Sequence, residues 1–306
     1  MIRRPPRSTL DRSSAASDVY KRQFQKRLKV ELRYRKWNLG NTVKTQQYMS
    51  LGRIEDYNKN LPIVEVYTAV QSEGSRQGFP TIVIRTTGCT HRCYFGEGGW
   101  CDSWYTSIHP EKGQFSFQDI IDMYDANPHI KEMMLTGGSP TMHKKLVNEL
   151  THFANERDIF ITIETEGSHF LPTDFPINLL SISPKFGNSV PVLGIETPQG
   201  AIVDQRMIDK HNSLRLNKEA IKKSIDYHSD YHIKPVLDKE LSIYGEVYKF
   251  LKELNIPNEK VWVMPAGDDR KSLFESYGVV MNFARDKGYR FTGRAHIMAF
   301  NTERCV

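Results

Sequence analysis

Nowhere in its 306 residues does the chain string together eighteen apolar side chains, which excludes a helix long enough to span a bilayer. Its opening residues also lack the apolar core of a secretory signal. Cysteine is scarce, four in all. That is too few to frame a chain of this length with disulfides, so a reducing, cytoplasmic setting is expected. Net charge is scarce outside one segment: the whole chain carries +6, yet residues 1–23 alone hold six basic residues against two acidic ones. The rest of the chain is close to neutral and gives no reason to expect direct nucleic-acid binding.

Residues 1–23 are rich in Ser, Arg and Pro and read as a non-native, disordered tail resembling translated sequencing-adapter read-through. Residues 24–60 are polar and basic and read as an N-terminal extension. From residue 61 to 306 the text alternates. Short apolar runs such as Thr81-Ile82-Val83-Ile84-Arg85, Met133-Met134-Leu135, Phe160-Ile161-Thr162-Ile163-Glu164 and Leu179-Leu180-Ser181-Ile182 are separated by segments of helical periodicity. Ser116 caps the first such segment. Alternation of this kind predicts an α/β fold with a parallel sheet covered by helices. About six units are too few to close an eight-stranded barrel, so the expected architecture is a partial, open (β/α) barrel. Residues 186–216 show no clear period and are expected to be an inserted loop covering the site. Tyr289 to Phe300 reads as a final extended piece.

Three of the four cysteines, Cys89, Cys93 and Cys101, fall within thirteen residues. A cubane iron–sulfur cluster takes four thiolates, so three together imply an iron with one coordination position open to a small molecule. A structural zinc site completed by His91 is the alternative, although such sites usually carry a second pair of thiols and the remaining cysteine is Cys305. Thr136-Gly137-Gly138-Ser139-Pro140 follows a buried-looking strand. Paired glycines there permit close approach of a ligand to the backbone, at the strand end where α/β folds bind ligands.

Taken in order, Gln71-Ser72-Glu73-Gly74, Arg85-Thr86-Thr87-Gly88-Cys89, Trp100-Cys101-Asp102-Ser103, Thr136 to Pro140, Glu164 to Ser168, Ser183-Pro184-Lys185, Val261 to Pro265 and Arg294-Ala295-His296 resemble the radical S-adenosylmethionine (SAM) superfamily. Within it they resemble the 7-carboxy-7-deazaguanine synthases of queuosine biosynthesis. The resemblance implies a partial radical SAM barrel with a modified cluster-binding loop. It also implies a lyase that contracts the ring of 6-carboxy-5,6,7,8-tetrahydropterin with loss of ammonia, using a 4Fe-4S cluster, SAM and Mg2+. Cys89, Cys93 and Cys101 would hold the cluster. Gly138, Ser183, Lys185 and Met264 would line the SAM site, and Gln71, Glu73, Arg85, Thr136 and His296 the pterin site. Ser103 stands where a Mg2+-ligating Thr is usual. Each has a plainer reading: Arg85 as a surface ion pair, Ser183 to Lys185 as a turn, Ser103 as a cap, Met264 and His296 as core. An electron donor such as flavodoxin is implied, and a homodimer is left open.

The sequence departs from the family pattern in three places. Seven residues, not two, separate Cys93 from Cys101; Ser139 replaces the Glu of Gly-Gly-Glu-Pro; and Ser72 replaces a Gly. A radical SAM activase acting on a partner glycyl-radical enzyme shares the cluster and glycine loop and is the second enzyme reading.

Overall fold

A computed structural model describes residues 60–96, 99–107 and 109–306. The tail 1–23 and all but the last residue of the extension 24–60 lie outside the described residues. Six strands, β1 Ile63–Val70, β2 Pro80–Thr86, β3 Glu132–Gly137, β4 Phe160–Thr165, β5 Leu179–Ile182 and β6 Tyr231–Ile233, form one sheet in sequential order. β7 Val236–Leu237, β8 Trp262–Pro265 and β9 Arg290–Phe291 form a second. A parallel bridge from Ile233 to Val261 carries one sheet into the other. All pairings from β2 onward are parallel, whereas β1 and β2 are antiparallel. The exception has a simple cause: residues 71–79 are the whole connection, and a parallel crossover needs a dozen residues or more.

Helices return the chain between the parallel strands: α1 Phe117–Ala126, α2 Lys144–Glu156, α3 Gln205–Leu214, α4 Lys218–Tyr227, α5 Tyr244–Glu253 and α6 Arg270–Lys287, and the short α7 Ala295–Phe300 follows the last strand. α1 begins at a capping box in which Ser116 accepts from the Asp119 backbone and Asp119 accepts from the Ser116 backbone. α6 has the same device in Asp269 and Ser272 and stops at left-handed Gly288. On α2, Leu146, Leu150 and Phe153 are buried along one face, at the spacing that turns an amphipathic helix toward a core. They meet Ile84, Leu135, Ile163 and Ile182 of the sheet in a single apolar cluster. β5 is buried at every position, as strands covered on both faces are.

Two sequence expectations are corrected. Within 186–216 the structure contains helix α3, capped by the Asp204 carboxylate accepting from the Met207 amide at 2.8 Å. Of its ten residues only His211 is buried, so almost no apolar stripe marks it. The supposed extended piece at 289–300 is two-residue β9 followed by helix α7.

Candidate active site

The parallel strands all end on one edge, and the loops leaving β2, β3, β4 and β5 carry the candidate motifs. The β2 and β3 loops are tied together: the Gly138 amide donates to the Thr86 carbonyl at 3.1 Å and the Ser139 amide to the Gly88 carbonyl at 2.8 Å. A β-carbon on Gly138 would lie 1.9 Å from the Gly88 oxygen, so glycine is required there by the loop beside it, whatever ligand binds.

Cys89, Cys93 and Cys101 are free thiols lining one cavity, together with Gly137, Gly138, Pro198 and Gln199. The enlarged spacing does not part them. Tyr94 pairs with Trp100, the Phe95 amide donates to the Gly99 carbonyl at 2.8 Å, and the Cys101 amide returns to the Cys93 carbonyl at 3.1 Å. The added residues thus leave and re-enter the loop as a small hairpin. Cys305 is exposed and does not line the cavity.

Burial pushes all three thiols up, Cys89 to about 12, Cys101 to about 11 and Cys93 well above its ordinary value, while the Lys185 ammonium opposes the shift at each. Thiols so placed ionise when a metal takes the proton's place. Among the described residues no three His, Cys, Asp or Glu side chains converge on a single ion. His91, the proposed zinc ligand, is buried with Nδ1 3.0 Å from the Thr90 hydroxyl and no partner for Nε2.

Residues of the 186–216 segment reach the site. Pro198 and Gln199 line the cavity, Trp100 Nε1 donates to the Glu196 carbonyl at 3.2 Å, and the Tyr94 amide donates to the Ser189 carbonyl at 3.0 Å. His211, from α3, accepts from the Arg92 amide at 3.2 Å through Nδ1, and its Nε2 faces the Ser189 hydroxyl at 3.1 Å. Burial lowers its pKa to about 4, so the ring is neutral and can accept. Arg92 in turn donates to the carbonyls of Cys89 and His91, both at 2.7 Å. His211→Phe should orphan the Arg92 amide at a cost of about 1–3 kcal/mol. The expected result is faster loss of iron to a chelator from the reconstituted protein, followed by visible absorption.

Below the cavity lies a transverse polar row. Register pairs Glu65 with Arg85, Arg85 with Thr136, Glu164 with Ser181, and Ser181 with His232. The Thr136 hydroxyl donates to Glu164 at 3.0 Å. Their neighbours Ile84, Leu135, Ile163, Ile182 and Ile233 point the other way, into the core. Arg85 donates to Glu65 at 2.7 Å, Ser103 at 3.2 Å and Tyr67 at 3.3 Å. Lys234, which follows β6, donates to Glu73 at 2.5 Å and Glu164 at 2.6 Å. Arg294 holds Glu73 at 3.0 Å and also pairs with Asp102. His296 lies within reach of the Glu73 charge.

The structure therefore gathers Glu73, Arg85, Ser103 and Thr136 into one hydrogen-bonded network, with His296 joined to it only through the field of Glu73, and the Lys185 charge reaches the thiols, its Nζ 3.3 Å from the Ser183 hydroxyl. It does not bring Gln71 there: its amide faces Glu132, the first residue of β3, at 3.4 Å, at the opposite edge. Met264 is buried on β8 beside Val236 and does not line the cavity. Sequence reasoning missed Glu65, Asp102, Glu164 and Lys234 as network members. The only available signal was charge inside otherwise apolar strands.

Burial alone would raise Glu73, but Lys234 and Arg294 outweigh it and hold the carboxyl at about 2, below its ordinary 4.5. The folded state thus binds this proton more weakly than the unfolded one, and the stability it confers is complete above about pH 4.5. Urea midpoints should fall as pH drops from about 4.5 toward 2, and Glu73→Gln should flatten that slope.

The comparisons with known proteins agree with this geometry. The profile of the Radical SAM superfamily matches residues 83–254. The 7-carboxy-7-deazaguanine synthase of Halobacterium salinarum is 32% identical over 247 residues, covering 79% of this chain and 91% of its own. That of Rhodopirellula baltica is 28% identical, covering 80% and 88%. The crystal structure of QueE from Escherichia coli superposes with a TM-score of 0.51 at 18% identity, over 80% of this chain and 99% of that one, a likeness of fold. The chain belongs to the radical SAM superfamily and, within it, to the 7-carboxy-7-deazaguanine synthase family.

Proposed function

We propose that this enzyme contracts the ring of 6-carboxy-5,6,7,8-tetrahydropterin to 7-carboxy-7-deazaguanine with release of ammonia, in the space between the thiol-lined cavity and the polar row. The observation that carries the reading is the juxtaposition of three free thiols in one cavity with a row of fixed hydrogen-bonding groups on the strands directly beneath. When bound, a 4Fe-4S cluster and SAM supply reductive cleavage of a carbon–sulfur bond and a 5′-deoxyadenosyl radical able to take hydrogen from C6 of the pterin.

The chain's own groups do the rest. Cys89, Cys93 and Cys101 hold the cluster, and Ser183 and Lys185 lie on the SAM side with Gly138 beneath. Arg85, held flat by Glu65 and Tyr67, offers a planar fork to a polar or anionic ring edge. Thr136 and Glu73 line the same face, and His296 sits beyond them. Gln71 and Met264 enter the site through the family pattern alone.

The Ser103 hydroxyl, 3.1 Å from Asp102 Oδ1, supports a Mg2+ ion shared with the substrate, as hard oxygen ligands suit that ion. Flavodoxin as reductant, a homodimer, a cytoplasmic location and a catalytic domain spanning 61–306 complete the proposal. The described residues include no helix long and apolar enough to cross a membrane.

The test is anaerobic reconstitution with iron and sulfide, followed by SAM, reductant and carboxytetrahydropterin. The deazapurine acid, ammonia and 5′-deoxyadenosine should appear together. No deazapurine from a fully loaded cluster would reject the reading, and a glycyl radical raised on a co-encoded partner would favour an activase.

A further inference from the structure

Glu166 leaves the C-terminal end of β4 and is only 5% exposed. One carboxylate oxygen, Oε1, accepts from the fully buried Ser139 hydroxyl at 2.7 Å. Among the described residues no basic side chain pairs with it. A buried carboxylate without a cation is costly, and at this site buried Glu65 and half-buried Glu73 each have an arginine or lysine on them. Glu166 is also rigidly aimed. The next residue, Gly167, has φ 80°, its amide donates to the Thr165 hydroxyl at 3.0 Å, and a β-carbon there would meet Ile221 at 2.6 Å. Ser139 is fixed in turn by its own amide on the Gly88 carbonyl, next to Cys89. The Glu166 charge is felt at both Cys89 and Cys93.

We infer that Glu166 is a SAM-binding residue: its free oxygen accepts a hydrogen bond from the amino group of the methionine part, while Ser139 holds the other oxygen. The cationic ligand supplies the charge that the protein withholds. Ser139 occupies the position where an acidic side chain is otherwise expected in this loop. In this chain the carboxylate comes from the β4 loop and is oriented by a small hydroxyl on the β3 loop. The inference rests on the reading that SAM binds beside these thiols.

Equilibrium binding to the reconstituted holoenzyme tests it, with two probes: SAM and an analogue lacking the amino group. Cluster content and the electron paramagnetic resonance spectrum of the reduced cluster are recorded in parallel. Glu166→Gln should weaken SAM by about tenfold, the loss of one charge-assisted hydrogen bond, and leave the analogue's affinity unchanged. The exchange Ser139→Glu with Glu166→Ser returns a carboxylate from the other side at equal side-chain composition. It should restore discrimination between SAM and the analogue, and it replaces Glu166→Gln as the deciding variant if that one fails to load iron. Equal losses for both probes, or none, would overturn the inference while a normal response of the unmodified enzyme to SAM leaves the site reading intact. An unmodified enzyme with a full cluster that ignores SAM would defeat both.

Discussion

Lys234→Met should destabilise the fold by about 3–5 kcal/mol, the cost of removing one partner from a buried charge network. Lys234 Nζ is the cation shared by Glu73, at 2.5 Å, and Glu164, at 2.6 Å, and its side chain is only 4% exposed. Methionine keeps much of the stem's volume, so packing loss is minor beside the electrostatic one. Glu73 retains Arg294 at 3.0 Å, but Glu164 keeps only the Thr136 hydroxyl among the bonds described. Lys234→Met with Glu164→Gln, which removes the carboxylate left without its cation, should therefore recover part of the loss in urea denaturation at neutral pH. A loss under about 1 kcal/mol would mean that solvent reaches these carboxylates and that the network is a surface feature.

Gly138→Ala should abolish turnover by a different route. The new methyl would sit 1.9 Å from the Gly88 oxygen, 2.5 Å from its carbonyl carbon and 3.1 Å from the Thr106 oxygen. These are backbone atoms, so a rotamer change gives no relief, and the segment entering Cys89 has to move. Overpacking of this kind costs about 1–3 kcal/mol, which a protein of this size tolerates. The Cys89 sulfur, however, moves with Gly88. Iron content after reconstitution should fall by about tenfold, since 1.4 kcal/mol of misplacement at one ligand already corresponds to that factor. Circular dichroism should remain near that of the unmodified protein. If the variant binds a full cluster and loses only SAM affinity, the glycine serves the cofactor directly and the loop contact is incidental.

Much of the site was legible because its chemistry is written in short consecutive words placed just after strands. Cys89 to Cys101 follows β2, the glycine pair closes β3, and Ser183 to Lys185 follows β5. The apolar runs that announce those strands, such as Ile82 to Ile84, are buried on both sides and leave little ambiguity. The polar row was legible only at Arg85 and Thr136, which the family pattern marked. Glu65, Arg85, Thr136, Glu164, Ser181 and His232 contribute one residue per strand, and only register brings them level. Lys234 lies just past β6, and nothing in its local sequence marks it as the cation shared by two carboxylates. Gln71 looked like a neighbour of Glu73 on the same site, yet within the connection from β1 to β2 its amide faces Glu132 at the start of β3 while Glu73 reaches Lys234 beyond β6. α3 lacked an apolar stripe, and α7 is six residues long. In both, tertiary contacts rather than local pattern decide the helix.

The loop after β1 is stitched to the segment after β9. The Gly74 amide donates to the Thr292 hydroxyl at 2.7 Å, the Ala295 amide donates to the Ser72 carbonyl at 3.1 Å, and Arg304 pairs with Glu65 from 239 positions away. Contacts of such sequence separation form late, because the entropy of closing so long a loop is lost before they repay it. During synthesis the β2 to β5 platform and its thiols are complete while the wall opposite is still untranslated. A nascent chain can therefore present sulfur to iron before it has a chamber in which a radical would be safe, and the reactive step has to wait until residues 292–304 have been made and docked.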